Sequence, residues 1–94
     1  MIRTFASKPT EQVYNDISVR AFSGFERQAR RKLQLLNAAR SLEDLRVPPG
    51  NRLEMLKGDR SGQHSIRIRI NGQWRICFVW IDGHAENVEI VDYH

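Results

Sequence analysis

The sequence predicts an α+β domain, two N-terminal helices packed on one face of a mainly antiparallel sheet, and three observations predict it. Apolar residues recur at helical spacing in the first half, they alternate at strand spacing in the second, and Pro48-Pro49-Gly50 stands between the halves. Ninety-four residues bound the chain to one domain spanning 1–94, since typical domains run to roughly 100–150 residues. Apolar residues at 40% and charged residues at 28% are ordinary for a globular protein and exclude a disordered tail.

Ile2 to Phe5 is a candidate opening strand. From Thr10 to Val19, Val13, Ile17 and Tyr14 fall along one side of a short helix. Ser23 stands three residues before Glu26, the spacing of a capping box, so a second helix is expected to start there. Phe25, Ala29, Leu33, Leu36 and Ala39 make its apolar stripe, and Arg27, Arg30, Arg31 and Gln34 read as a solvated opposite side. Ser41 and Asp44 repeat the capping spacing and predict one further turn before the prolines.

In the second half Arg52 to Met55 is a candidate strand, and Ser65 to Ile70, Trp74 to Trp80 and Val88 to Val91 form a meander. Asn71-Gly72 and Asp82-Gly83 offer the tight turns. A two-residue Asn-Gly loop would pair Ile68 with Arg75 and mix polar with apolar faces. Looping out Asn71-Gly72-Gln73 pairs Ile68 with Ile76 and Ile66 with Phe78, which gathers the apolar side chains together. That register sets Arg67, Arg69 and Arg75 on the other face. The helices cover the aromatic side, so an Arg-lined face is expected to stay open.

Fifteen Lys and Arg against eleven Asp and Glu give a net charge of +4, and arginine outnumbers lysine twelve to three. Arginine's planar fork suits phosphate and base edges, so polyanions are plausible partners. No run approaches a membrane span and no secretory signal opens the chain, which predicts a cytoplasmic protein without a membrane partner. Cys77 is the single cysteine, and neither it nor the three histidines fall at zinc-ligand spacing, so no metal or other cofactor is expected. His64 and His84 read as surface or turn residues, and Trp74, Phe78 and Trp80 as core.

The last three residues, Asp92-Tyr93-His94, continue a strand expected beside Arg75. His94 titrates near neutrality, Asp92 accepts or orients a proton, and Tyr93 stacks on a base or donates a hydrogen bond. With Lys57 and Arg75 they make a kit for cleaving a phosphodiester through the ribose 2′-hydroxyl. A base removes its proton, cations stabilise the crowded phosphate, and an acid protonates the leaving 5′-oxygen.

Four segments in order carry a family resemblance: Pro48-Pro49-Gly50-Asn51-Arg52-Leu53, the loop Leu56-Lys57-Gly58-Asp59-Arg60-Ser61-Gly62, Gln73-Trp74-Arg75-Ile76-Cys77-Phe78, and Val91-Asp92-Tyr93-His94. They resemble the HigB toxins, the toxin half of HigB–HigA pairs within the RelE/ParE superfamily, across essentially the whole chain. The resemblance implies a compact RelE-like fold and an mRNA interferase that cuts messages on the translating ribosome without metal. It implies that Lys57 and Arg75 are basic active-site positions and that Asp92, Tyr93 and His94 form the functional end. For an RNA-cutting protein the arginines Arg60, Arg67 and Arg69 are expected to hold the message backbone.

The partner implied is HigA, a helix-turn-helix antitoxin through which alone the toxin would meet operator DNA. Glu54 departs from the pattern, since some relatives carry histidine there; its role passes to a carboxylate or is lost. The Ile66–Ile70 strand is also longer by two residues, which preserves the parity of its faces. The rival function is that of the ParE branch, which inhibits DNA gyrase without cutting RNA.

Overall fold

The computed structural model describes residues 1–69 and 73–92. Helix α1 spans Lys8–Tyr14 and α2 spans Glu26–Ala38. Strands β1 (Glu54–Met55), β2 (His64–Arg67), β3 (Trp74–Ile81) and β4 (His84–Asp92) form one antiparallel sheet in the order β1-β2-β3-β4.

Helix α1 starts two residues earlier than its periodicity suggests, because Ser7 caps it. The Ser7 Oγ accepts from the Thr10 amide at 3.3 Å and meets the Thr10 hydroxyl at 2.7 Å. The same Thr10 Oγ1 accepts from the Ile90 amide at 2.9 Å, pinning the helix to β4. The helix also ends earlier, not at Val19. Asp16 turns into the left-handed region at φ +66°, which leaves Ile17 half exposed.

Helix α2 begins after Phe25 with no side-chain cap, so the Ser23–Glu26 capping box does not form. A turn of 3₁₀ helix at Arg20–Phe22 and Gly24 at φ +96° intervene, and Glu26 instead accepts the Val19 amide at 3.1 Å. The apolar stripe is as predicted: Phe25, Ala29, Leu33, Leu36 and Ala39 are all buried. One member of the polar side is not simply solvated. Arg30 donates through Nε to the Val13 carbonyl at 2.9 Å and pairs with Asp16 at 3.3 Å, tying α2 to the end of α1. The capping box at Ser41 and Asp44 forms, opening the turn Leu42–Arg46.

The register of β2 on β3 is Ile66 opposite Ile76 and Arg67 opposite Arg75. It differs by two residues from the expected pairing of Ile68 with Ile76, and beyond Arg67 the Ile68 amide donates to the Trp74 carbonyl at 3.2 Å. An even shift keeps every side chain on its face, so the apolar clustering stands. Ile66, Ile68, Ile76 and Phe78 are buried. Phe22, Phe25 and Trp74 meet with ring centroids 5.1–5.8 Å apart. The predicted Asn71-Gly72 turn lies outside the described residues.

Asp82 and Gly83, at φ +50° and +80°, make the two-residue turn joining β3 to β4. Further along, Asn87 at φ +53° lies in a bulge: Cys77 faces Glu89 while Val79 faces Glu86, and the extra residue lets Val88 reach the core. Beside β4 runs the N-terminal segment. Ile2 bridges Ala85 and Phe5 bridges Val88 in parallel, with the Arg3 amide donating to the Ala85 carbonyl at 2.8 Å. Among the described residues no helix is long and apolar enough to cross a membrane.

Candidate functional site

The face of the sheet away from the helices carries two cross-strand rows. Glu54, Ser65, Cys77 and Glu89 stand in one, Arg67, Arg75 and Val91 in the next. This is the face assigned to arginine from sequence, but it is not an open groove. The segment after β1 folds back across it. Arg60, on that segment, reaches past β2 and β3 to pair with Glu89 on β4 at 3.6 Å, and donates to Gln63 at 3.2 Å.

Arg75 is the most constrained of the candidate residues. Only 7% of it is exposed, its Nε donates to the Ser65 hydroxyl at 2.7 Å, and its Nη2 donates to the Arg52 carbonyl at 2.7 Å. Nη2 also stands 3.6 Å from the Glu54 carboxylate, which is half exposed. Both neutral partners exist for local reasons. Ser65 has the strand parity of Arg67 and Arg75, and Arg52 sits at φ +48° after the turn Pro49–Asn51, so its carbonyl turns toward the sheet. Nothing in the Arg52–Glu54 sequence announces this contact. Only the Ser65 contact was within reach of the register, which puts Ser65 opposite Cys77, two residues from Arg75 on the same face.

Cys77 is fully buried beside this cluster. Burial pushes its thiol pKa up; Glu89 adds to the rise, while the Arg60 and Arg75 cations oppose it. Lys57 lies exposed two residues beyond β1, at the start of the 3₁₀ turn Gly58–Arg60.

Two expected members stand elsewhere. Arg69 is not with Arg67 and Arg75. It follows the end of β2, and its guanidinium lies 5.7 Å over the Phe25 ring on the helix side, donating to the Gly24 carbonyl at 3.5 Å. Strand alternation ends with the ladder, so its parity no longer governs where Arg69 points. Asp92 stands opposite Trp74, on the aromatic parity, while Val91 is the residue opposite Arg75. Tyr93 and His94 lie outside the described residues.

The arrangement combines a buried, doubly hydrogen-bonded guanidinium, a second arginine directly across from it, an exposed carboxylate and an exposed lysine. It suits recognition of a phosphate-bearing chain, with proton acceptors in reach. Comparison with known proteins gives the family. Residues 3–94 match the family model described as the RelE-like toxin of the type II toxin–antitoxin system HigB. The chain belongs to the HigB-like toxin family.

Among relatives, Toxin HigB-1 of Vibrio cholerae is 44% identical over 89 residues, 93% of this chain and 92% of that protein. A protein named Endoribonuclease HigB, from Proteus vulgaris, is 49% identical over 43 residues, 46% of this chain and 45% of its own. Among solved structures, a YoeB–YefM toxin–antitoxin heterotetramer from Staphylococcus aureus superposes with a TM-score of 0.57 at 19% identity, covering 100% of this chain and 98% of the other. That likeness establishes the fold: this HigB-like toxin has the α+β architecture of a known toxin, two helices on a four-stranded antiparallel sheet.

Proposed function

We propose that this single-domain HigB-like toxin is an mRNA endoribonuclease that acts on the translating ribosome in the cytoplasm. The carrying observation is the Arg75 guanidinium, fixed by Ser65 and Arg52 within 3.6 Å of Glu54 and directly across from Arg67. A relative named as an endoribonuclease supports the reading. The bond made is between the ribose 2′-oxygen and phosphorus, and the bond broken is from phosphorus to the 5′-oxygen. A base takes the 2′ proton and an acid protonates the departing oxygen, with no metal in either role.

Arg75 and Lys57 stabilise the negative charge on the phosphate. Arg60 and Arg67 hold the message backbone, while Arg69, on the helix side, stands apart from them. Asp92 and His94 are the proposed proton-transfer groups, Tyr93 stacks on or positions a base, and Glu54 is the further carboxylate able to take a proton. A helix-turn-helix antitoxin of the HigA type neutralises the toxin and is its only route to operator DNA.

The test is primer extension on a defined message with purified protein, with and without translating ribosomes, comparing wild type with Lys57→Ala and a chain lacking Tyr93 and His94. Cuts only with ribosomes, lost in both variants, are expected. Inhibition of gyrase supercoiling without any cut would overturn the proposal in favour of a ParE-like action.

A further inference from the structure

On the helix side, away from the Arg75 cluster, a groove of about 900 Å³ runs between the exposed flank of α2 and the chain segments around Pro48 and Ile68. Leu35, Pro48 and Ile68 give it an apolar floor, and Arg31, Lys32 and Arg69 put three cations along it with no carboxylate among its described lining residues. Val47, 68% exposed and immediately before Pro48, continues the apolar surface outward.

The walls are tied together from within. Lys32 on α2 donates to the Asn51 side-chain oxygen, and the buried Asn51 amide donates to the Leu45 and Val47 carbonyls at 3.1 and 3.3 Å. The groove is therefore set before anything binds, which lowers the ordering penalty of association. Burial and the neighbouring Arg31 charge both depress the Lys32 pKa, as expected of a cation facing another cation rather than an acid.

We infer that this groove is a docking site for an acidic amphipathic segment of the antitoxin, apolar side chains on Leu35, Pro48 and Ile68 and carboxylates toward Arg31, Lys32 and Arg69. A nucleic-acid backbone would satisfy the cations but leave the apolar floor uncovered, whereas an amphipathic protein segment satisfies both. The inference rests on the family's toxin–antitoxin pairing and names where this chain is engaged.

The test uses the full-length toxin and the antitoxin that abolishes its growth arrest on co-expression. Arg31→Glu and Gln34→Glu alter exposed α2 positions that line the groove, and Arg27→Glu reverses an exposed charge on α2 outside it. Calorimetric titration is expected to show affinity falling roughly 10- to 100-fold for Arg31→Glu, since opposing like charges disfavour the contact, and measurably for Gln34→Glu. Arg27→Glu should stay near wild type, and the circular dichroism melts of all three should overlay.

Equal affinity across the set overturns the inference while leaving the toxin reading intact. So does loss of ribosome-dependent cutting in the groove variants with antitoxin affinity retained, which would give the groove to ribosomal RNA. If no antitoxin suppresses the wild type, the pairing itself fails and the docking site with it.

Discussion

Replacing Arg75 by alanine should destabilise the fold as well as the site, and the size of that loss follows from its contacts. Two 2.7 Å hydrogen bonds from a charged donor disappear, leaving the buried Ser65 hydroxyl and the Arg52 carbonyl without that partner. Bonds to charged groups are each worth about 1.5–3 kcal/mol. Part of the loss is returned because a guanidinium no longer has to be held away from water. The half-exposed Glu54 pair is screened by solvent and adds little.

The expected net is about 3 kcal/mol, which for a domain of this size lowers Tm by roughly 12–24 °C. Arg75→Lys keeps the charge but cannot place two donors on Ser65 and Arg52 together, so it should fall between wild type and alanine. Urea titration followed by tryptophan fluorescence gives both values. If Arg75→Ala unfolds within about 0.5 kcal/mol of wild type, the two short bonds are not holding the β1 approach to the sheet and the account of Arg75 as its anchor is wrong.

Leu33→Ala, at a fully buried position on α2, should cost about 2–5 kcal/mol in chemical denaturation, and a value under 1 would mean the stripe does not seat in the core as described. Thr10→Val removes the acceptor of the buried Ile90 amide and should cost roughly 1–3 kcal/mol, loosening α1 from β4; amide exchange at Ile90 reports it directly. Cys77 should react with a disulfide reagent far more slowly in the folded protein than in urea. Its thiol pKa is raised above 9.0, so as pH climbs past that value the unfolded chain ionises first and stability falls; Cys77→Ala should flatten that slope. Lys57→Ala, at an exposed position, should leave the melt unchanged while abolishing message cleavage in the primer-extension assay.

Periodicity alone made most of the architecture legible. The α2 stripe, the Asp82-Gly83 turn, the Ser41–Asp44 capping box and the two-faced β2–β3 pair are each local patterns, and each appears in the fold. The misjudged features depend on contacts distant in sequence. Glu26 serves Val19 rather than a cap, Arg30 serves α1, and the β2–β3 register lies two residues from the one expected from sequence.

At the site, strand parity correctly put Arg67 and Arg75 together, because alternation needs no tertiary information. It failed for Arg69 because the strand had already ended. The covering of that face by the Arg60 segment, and the role of the Arg52 carbonyl, were beyond reach of pattern because both arise from irregular chain between β1 and β2 and before β1.

The parallel seam between residues 2–5 and β4 bears on the order in which the fold assembles. Ile2 and Phe5 find their partners in Ala85 and Val88, far along the chain, so this segment cannot be seated until β4 is in place. Helix α1 waits too, since Thr10 is secured by Ile90. Contacts this distant in sequence form late, after the closure entropy of nearly the whole chain has been met. Until β4 docks on β3, therefore, the segment from Ile2 to Phe5 and helix α1 both lack their anchor, and the three order together.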